Sequence, residues 1–361
     1  MRLSFDHVTL GQRVLFGTGK AAEHVATAAS DLGARRAMVI ASASQMSTAK
    51  RVSSGLDVVT WHDEVVMHVP LEVAERARSA AAGADLVVSV GGGSTTGLAK
   101  AVALSTGLPI IAVPTTYSGS EATNVWGLTD RARKTTGVDN RVLPAVVVYD
   151  AELTLSLPKD LSVASGLNSI AHCVDSLWAP RADPMNAALA AEGIRVLSLA
   201  LPAIAADPVG VDGRERALYG GYLAAVAFAS AGSGMHHKIC HVLGGTFDLP
   251  HAETHAIVLP HVLAFNAPCA PEAVEHLAAA VGVSDVLAAL WTLGRTLEAP
   301  RALADYGFTS ADIDEAVRIA LPAIPASNPR PPTASNLTDL LRAALTGEEP
   351  GRIAQRADGD S

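Results

Sequence analysis

Four short apolar runs, spaced through the first 150 residues with helical stretches between them, constrain this chain more than any other feature. They are Arg36-Ala37-Met38-Val39-Ile40-Ala41, Asp85-Leu86-Val87-Val88-Ser89-Val90, Pro109-Ile110-Ile111-Ala112-Val113-Pro114 and Ala145-Val146-Val147-Val148-Tyr149-Asp150. Each is continuously apolar rather than alternating, the pattern of a strand covered on both faces. Helical segments are expected from Pro70 to Ala82 and from Ser94 to Leu104, with Pro70 and Ser94 as starters. The alternation predicts a parallel, helix-flanked sheet. From about Pro158 the pattern changes to Ala- and Leu-rich helical stretches at 183–206, 214–231 and 271–298. The interruption Leu155-Ser156-Leu157-Pro158 sets a boundary near 151–158, so we expect an α/β domain over 1–155 and an all-helical domain over 156–361. A chain of 361 residues suits two such cores. The polar tail after Gly347 is expected to fray.

Composition narrows the partners. Hydrophobic residues make up 49% and charged residues 17%, a globular balance. No uninterrupted apolar run reaches the ~18–20 residues of a membrane span, and the N-terminal residues lack an apolar signal core. Cys173, Cys240 and Cys269 form no CxxC pair, and their odd number argues against a disulfide framework. These features predict a cytoplasmic protein with no membrane partner. A net charge of −9 disfavours nucleic acid. It leaves room for a small anionic substrate, because a local cationic site prevails within a Debye length of ~8–10 Å.

Two kinds of motif carry chemistry. Gly91-Gly92-Gly93-Ser94 joins a predicted strand to a predicted helix, where free N–H groups favour a phosphate. It is neither the GxGxxG fingerprint nor a Walker loop. A second Gly-rich turn lies at Gly17-Thr18-Gly19-Lys20, and Thr115, Thr116, Tyr117 and Ser118 gather hydroxyls beyond the strand at 109–113. Ligands bind open α/β sheets at such strand ends. The other motif is histidine. Six of the twelve histidines lie between 236 and 261: His236, His237, His241, His251, His255 and His261. Upstream, Asn168 and His172 are four apart and share a helix face; so do His237 and His241. His251 follows Pro250 in an expected loop. Asn168, His172, His237 and His251 suffice for a metal site if they converge, with His241 beside it as a proton donor or acceptor. The alternative is a set of histidines bonded to carbonyls.

Taken in order, Gly91–Ser94, Pro114-Thr115-Thr116, Gly166-x-Asn168-x-x-x-His172, His237-x-x-x-His241 and Pro250-His251 resemble the iron-containing (group III) alcohol dehydrogenase superfamily. Within it, the runs 165–172 and 236–255 most resemble the maleylacetate reductases. The resemblance implies a dehydroquinate synthase-like fold, with a dinucleotide-binding α/β domain, a helical domain and an active site between them. It implies that Gly91, Gly92, Gly93 and Ser94 hold the cofactor pyrophosphate and that Thr115, Thr116 and Ser118 lie along the cofactor. His172, His237 and His251 fall where metal-dependent relatives carry ligands, and Asn168 falls where they carry Asp. A neutral amide balances no cation charge, so we expect no functional metal. Ala41-Ser42-Ala43-Ser44 lacks the carboxylate that selects NAD, so both NADH and NADPH are expected. The implied reaction is reduction of the C=C bond of maleylacetate to 3-oxoadipate in aromatic compound breakdown. His172, His237, His241, His251 and Asn168 would serve as catalytic donors, and a histidine or Tyr117 would deliver the proton. Lys238, Arg141 and the hydroxyls at 117–120 are candidates for the substrate carboxylates. The alternative activity is a metal-dependent alcohol or polyol dehydrogenase acting on a ketone or aldehyde; another is a catalytically silent nucleotide binder. A homodimer is expected as the commonest assembly.

Overall fold

A computed structural model describes residues 4–130 and 133–350. The tail whose fraying was expected lies mostly outside the described residues. The chain divides into a sheet unit, Leu10–Leu157 with Val209–Leu218, and a helical unit containing Pro158–Pro208 and the described residues from Tyr219 onward. Residues 4–9 belong to the helical unit. The division falls at 157/158, and the short 209–218 segment returns to the sheet unit, which no sequence pattern announces.

The sheet unit runs β1 (Arg13–Phe16), α1 (Ala21–Asp31), β2 (Ala37–Ile40), α2 (Met46–Val52), β3 (Val58–His62), α3 (Leu71–Ala80), β4 (Leu86–Gly91), α4 (Gly93–Thr106), β5 (Ile110–Pro114), β6 (Val125–Asp130), β7 (Arg133–Val138) and β8 (Val146–Tyr149). Six strands form one parallel sheet in the order β1-β8-β5-β4-β2-β3. Both faces are covered, which is why the strands read as unbroken apolar runs. On β2, Ala37 and Val39 pack with Val88, Val90, Ile111 and Val148 on one side. Met38 and Ile40 pack with Val87, Leu98, Ile110 and Ala112 on the other. Full burial of each such Val or Ile contributes about 1.5–3 kcal/mol. The edge strand β3 and the antiparallel hairpin β6–β7 were not anticipated. Val59 and Trp61 of β3 stay exposed, so its apolar signal is weak.

The helical unit carries α5 (Lys159–Ser176), α6 (Pro184–Ala206), most of α7 (Val211–Ala231), α8 (Met235–Phe247), α9 (His251–Asn266), α10 (Pro271–Val281), α11 (Val286–Thr296), α12 (Ile313–Ala320) and α13 (Ala334–Thr346). It contains no strand among the described residues. The stretch expected as one helix over 271–298 is two, because Gly282 closes α10 in the left-handed conformation (φ 76°) and Asp285 caps α11. Helix α6 is long and apolar enough by composition to cross a membrane. Here Ile194, Leu197 and Leu201 lie in the core, while Glu192 pairs with Arg195 at exposed positions, so α6 is a core helix. Two apolar clusters meet at α9. Leu259 and Leu263 face α5 and α6, and Val258, Val262 and Phe265 face α8, α12 and α13. The histidines stand where α5, α8 and α9 adjoin.

Candidate active site

In the sheet unit the polar features gather at the carboxyl ends of β4 and β5. The chain passes from β2 outward to β3, then returns across β2 to β4, so the end of β4 lies where the strand order reverses. Gly91 pairs in register with Pro114, which starts the two following turns at one level. Gly91 has φ 154°, and a Cβ there would stand 2.4 Å from Thr95 Oγ1. A Cβ on Gly92 would meet Thr116 Cγ2 at 3.0 Å, and one on Gly93 would meet Ser118 Oγ at 3.2 Å. The glycines thus let the β4–α4 turn nest against the hydroxyl loop. Thr115 N donates to Gly91 O at 3.1 Å, and Thr116 Oγ1 donates to Ser118 Oγ at 3.4 Å. Helix α4 begins without any side-chain cap, so its first N–H groups are open to an anion. The sequence-predicted residues Gly91, Gly92, Gly93, Ser94, Thr115, Thr116 and Ser118 therefore form one neighbourhood.

The second Gly-rich turn is different. Gly19 N and Ala21 N donate to the two carboxylate oxygens of Asp150 at 2.9 and 3.0 Å. A protein carboxylate already fills the anion position at the start of α1. At the end of β2, Ser42 and Ser44 bond to each other at 3.1 Å, in the stretch that contains no acidic side chain. Tyr117 is buried, and its hydroxyl accepts from Arg214 Nη1 at 3.1 Å. That phenol sits in a buried network anchored by a guanidinium that also donates to Leu157 O, surroundings that fit a packing role rather than proton delivery.

In the helical unit α5 presents Asn168, His172 and Asp175, one or two turns apart and all buried. The His172 ring lies parallel to that of His237, with centroids 4.9 Å apart, and Phe228 packs on both rings. Asn168 Oδ1, His172 Nδ1 and His237 Nε2 are buried with no hydrogen-bond partner among the described residues. Buried polar atoms are rarely left so, which makes them candidates for facing a ligand. His251 is the first residue of α9, not a loop residue. Pro250 takes the extended conformation just before the helix, a position where its missing N–H costs nothing. The His251 ring centroid lies 4.3 Å from that of His255, and His241 stands edge-on to His237 at 6.2 Å, half-buried.

Burial sets the charge state. It pushes His172 and His236 down to about 3 and His261 to about 4, with neighbouring imidazoles adding to the shift at the first two. His237 and His255 lie well below the usual imidazole range for the same reasons. His172, His236, His237, His255 and His261 are therefore neutral at pH 7. His236 Nε2 and His255 Nδ1 share a hydrogen bond of 2.9 Å, with Cys240 Sγ 3.6 Å from His236 Nε2. These three residues bring ligand-type atoms within 4.8 Å of one another, and His172, His237 and His251 do not form such a group. A cation there would leave the buried far nitrogens, His236 Nδ1 and His255 Nε2, as two unpaired donors. The imidazole-to-imidazole hydrogen bond explains the contact at lower cost.

Asp175 is the residue that sequence reasoning missed. Its buried carboxylate accepts from His237 Nδ1 at 2.8 Å, Gly234 N at 2.9 Å and Trp178 Nε1 at 3.2 Å. The spacing His172-x-x-Asp175, nearly one turn, was the available signal. Burial raises its pKa to about 6, opposed by the donors that hold the ionised form. With this carboxylate committed to His237, a divalent ion at Asn168, His172, His237 and His251 would find no anionic ligand. Three imidazoles and an amide leave a divalent ion's charge unbalanced, which weakens its binding relative to a set that includes a carboxylate. Of the candidates for substrate carboxylates, Arg141 is exposed and tied to Asp139 Oδ2 at 2.7 Å, and Lys238 is half-buried beside His237 on α8.

An uncapped glycine turn at the switch point of a parallel sheet, with a helical unit bearing clustered imidazoles, is the architecture of a dinucleotide-dependent dehydrogenase. The sequence matches the model of the iron-containing alcohol dehydrogenase over residues 11–151 and that of the Fe-containing alcohol dehydrogenase family, C-terminal, over 162–345. The chain belongs to the iron-containing alcohol dehydrogenase family and is an oxidoreductase. It is 45% identical to the maleylacetate reductase of Sphingobium indicum, over 96% of this chain and 99% of that protein. The crystal structure of an iron-containing alcohol dehydrogenase from Corynebacterium glutamicum is 60% identical, covers 98% of this chain and 100% of its own, and superposes with a TM-score of 0.96. That of the maleylacetate reductase from Agrobacterium tumefaciens is 42% identical, covers 97% and 100%, and has a TM-score of 0.91.

Proposed function

We propose that this protein reduces the C=C bond of 2-maleylacetate to 3-oxoadipate, using NADH or NADPH and no metal. Relatives named maleylacetate reductase at 42–46% identity along nearly the whole chain support the substrate. One observation carries the chemistry: the unpartnered atoms around Asn168, His172 and His237 are neutral. His172 and its neighbours can donate to an enolate, and none of these groups brings a negative charge to balance a cation.

The cofactor pyrophosphate would rest on the Gly91–Ser94 turn, with Thr115, Thr116 and Ser118 along it. Hydride from the reduced nicotinamide adds to the alkene carbon β to the ketone. The π electrons move to the ketone oxygen as an enolate. The α carbon then takes a proton, consuming NAD(P)H and one proton and giving NAD(P)+. The protein's share is to orient the substrate and to hold the oxyanion; single donors of this kind are worth about 3–4 kcal/mol. The imidazoles of His172, His251 and His241, with the amide N–H groups of Asn168, would supply such donors. Without a carboxylate near Ser42 and Ser44, a 2′-phosphate meets no repulsion, which favours use of both cofactors. Free Cys173, Cys240 and Cys269 fit a reducing, cytoplasmic setting. A symmetric homodimer is the assembly we propose, to be checked by light scattering.

The test is NADH oxidation with freshly generated maleylacetate, with and without EDTA, alongside metal analysis. Turnover that survives chelation supports the reading. An inert protein sinks it. Activity lost to EDTA and restored by one metal, with a simple ketone as the better substrate, would establish the metal-dependent alcohol dehydrogenase instead.

A further inference from the structure

We infer that Asp175 is a positioning residue: it fixes His237 in the tautomer that carries hydrogen on Nδ1, so that Nε2 is presented to the site as a lone pair. The geometry is specific. Asp175 Oδ2 stands 2.8 Å from His237 Nδ1 and also accepts from Gly234 N at 2.9 Å. Trp178 Nε1 donates to Oδ1 at 3.2 Å, so the carboxylate cannot rotate without losing a partner. Gly234 is shaped to this carboxylate, since a Cβ there would stand 2.3 Å from Oδ1. A carboxylate accepts only, so Nδ1 must be the donor. His237 Nε2 is then a bare lone pair, buried and unpartnered.

The consequence bears on the division of labour among the imidazoles. In that tautomer His237 offers no donor to an oxyanion, so holding the enolate falls to His172 and the other imidazoles. The loss of turnover expected below rests on the proposed reductase activity; the tautomer does not.

Histidine-labelled full-length protein tests both. Long-range nitrogen–proton NMR reads the tautomer, with His237 assigned by the signal missing in His237→Asn. We expect Nδ1–H in the wild type and a shift toward Nε2–H in Asp175→Asn. We expect kcat on maleylacetate to fall by about 10²–10⁴-fold in that variant, with NADH affinity within about twofold and KM changed less than kcat. Asp175→Glu should recover part of the loss. Wild-type His237 found as the Nε2–H tautomer, or a folded Asp175→Asn turning over at the wild-type rate, overturns the inference. If Asp175→Asn does not fold, Gly234→Ala displaces the carboxylate without removing it. The same two readouts then apply, and an unchanged tautomer with unchanged kcat is a refutation. A wild type inert toward maleylacetate refutes the activity alone, because the tautomer is measured without substrate.

Discussion

The glycine turn of the sheet unit and the histidine cluster of the helical unit are both candidate ligand sites, and they are made in opposite ways. The turn is backbone. Its recognition groups are N–H donors, and its side chains matter by being absent at Gly91, Gly92 and Gly93. The cluster is side chain, drawn from α5, α8 and α9, and its chemistry depends on which nitrogen faces which neighbour. A backbone site changes by crowding, whereas a side-chain site changes by the loss or gain of one atom type. The other Gly-rich turn, at Gly17–Lys20, sharpens the point, since Asp150 already occupies its amides. Glycine content alone does not separate an open anion site from a closed one.

The largest expected effect is at the cluster. His237→Ala and His251→Ala should each lower kcat by about 10²–10⁴-fold while NADH affinity, read by fluorescence titration, stays near the wild-type value. Near-wild-type rates would remove both residues from the mechanism. The turn should show the reverse. Gly92→Ala places a Cβ 3.0 Å from Thr116 Cγ2, an overpacking of about 1–3 kcal/mol, so NADH should bind several-fold or more weakly with kcat at saturation little changed. If kcat falls and affinity does not, the two regions are not separable in this way.

A smaller change tests the charge argument. Asn168→Asp restores an anionic ligand among three imidazoles, and cobalt or zinc should bind at least tenfold more tightly, read by equilibrium dialysis. Equal affinity in wild type and variant would mean that Asn168 does not control the site.

The last prediction concerns stability. His172, His236 and His261 have folded values of about 3, 3 and 4, against about 6.5 for an exposed histidine. Between those values the unfolded chain binds more protons, so stability is complete above about pH 6.5 and is lost as pH falls toward 4. Asp175, raised to about 6, works in the other direction over part of this window and offsets one of these groups. Thermal melts from pH 7.5 to 4.5 should show a falling midpoint, and His261→Phe should flatten the slope slightly. A midpoint independent of pH would contradict the buried, neutral assignment.

Much of this was legible beforehand because it is local. The strands β2, β4, β5 and β8 announce themselves as apolar runs, and the Gly91–Ser94 turn is a contiguous string. The helix faces that pair Asn168 with His172 and His237 with His241 follow from the 3.6-residue period. Where the reading failed, a local rule was overridden. Pro250 suggested a loop but serves as a helix start.

By itself the sequence determined the parallel sheet, the helical second unit and the family, because periodicity and ordered motifs are properties of neighbours along the chain. Only the tertiary structure decided that Asp175 belongs to His237, that Asp150 closes one glycine turn while another stays open, and that burial keeps His172, His236, His237, His255 and His261 neutral. Those facts depend on burial and on hydrogen bonds between residues 62 and 131 positions apart, and neither is encoded in any single stretch.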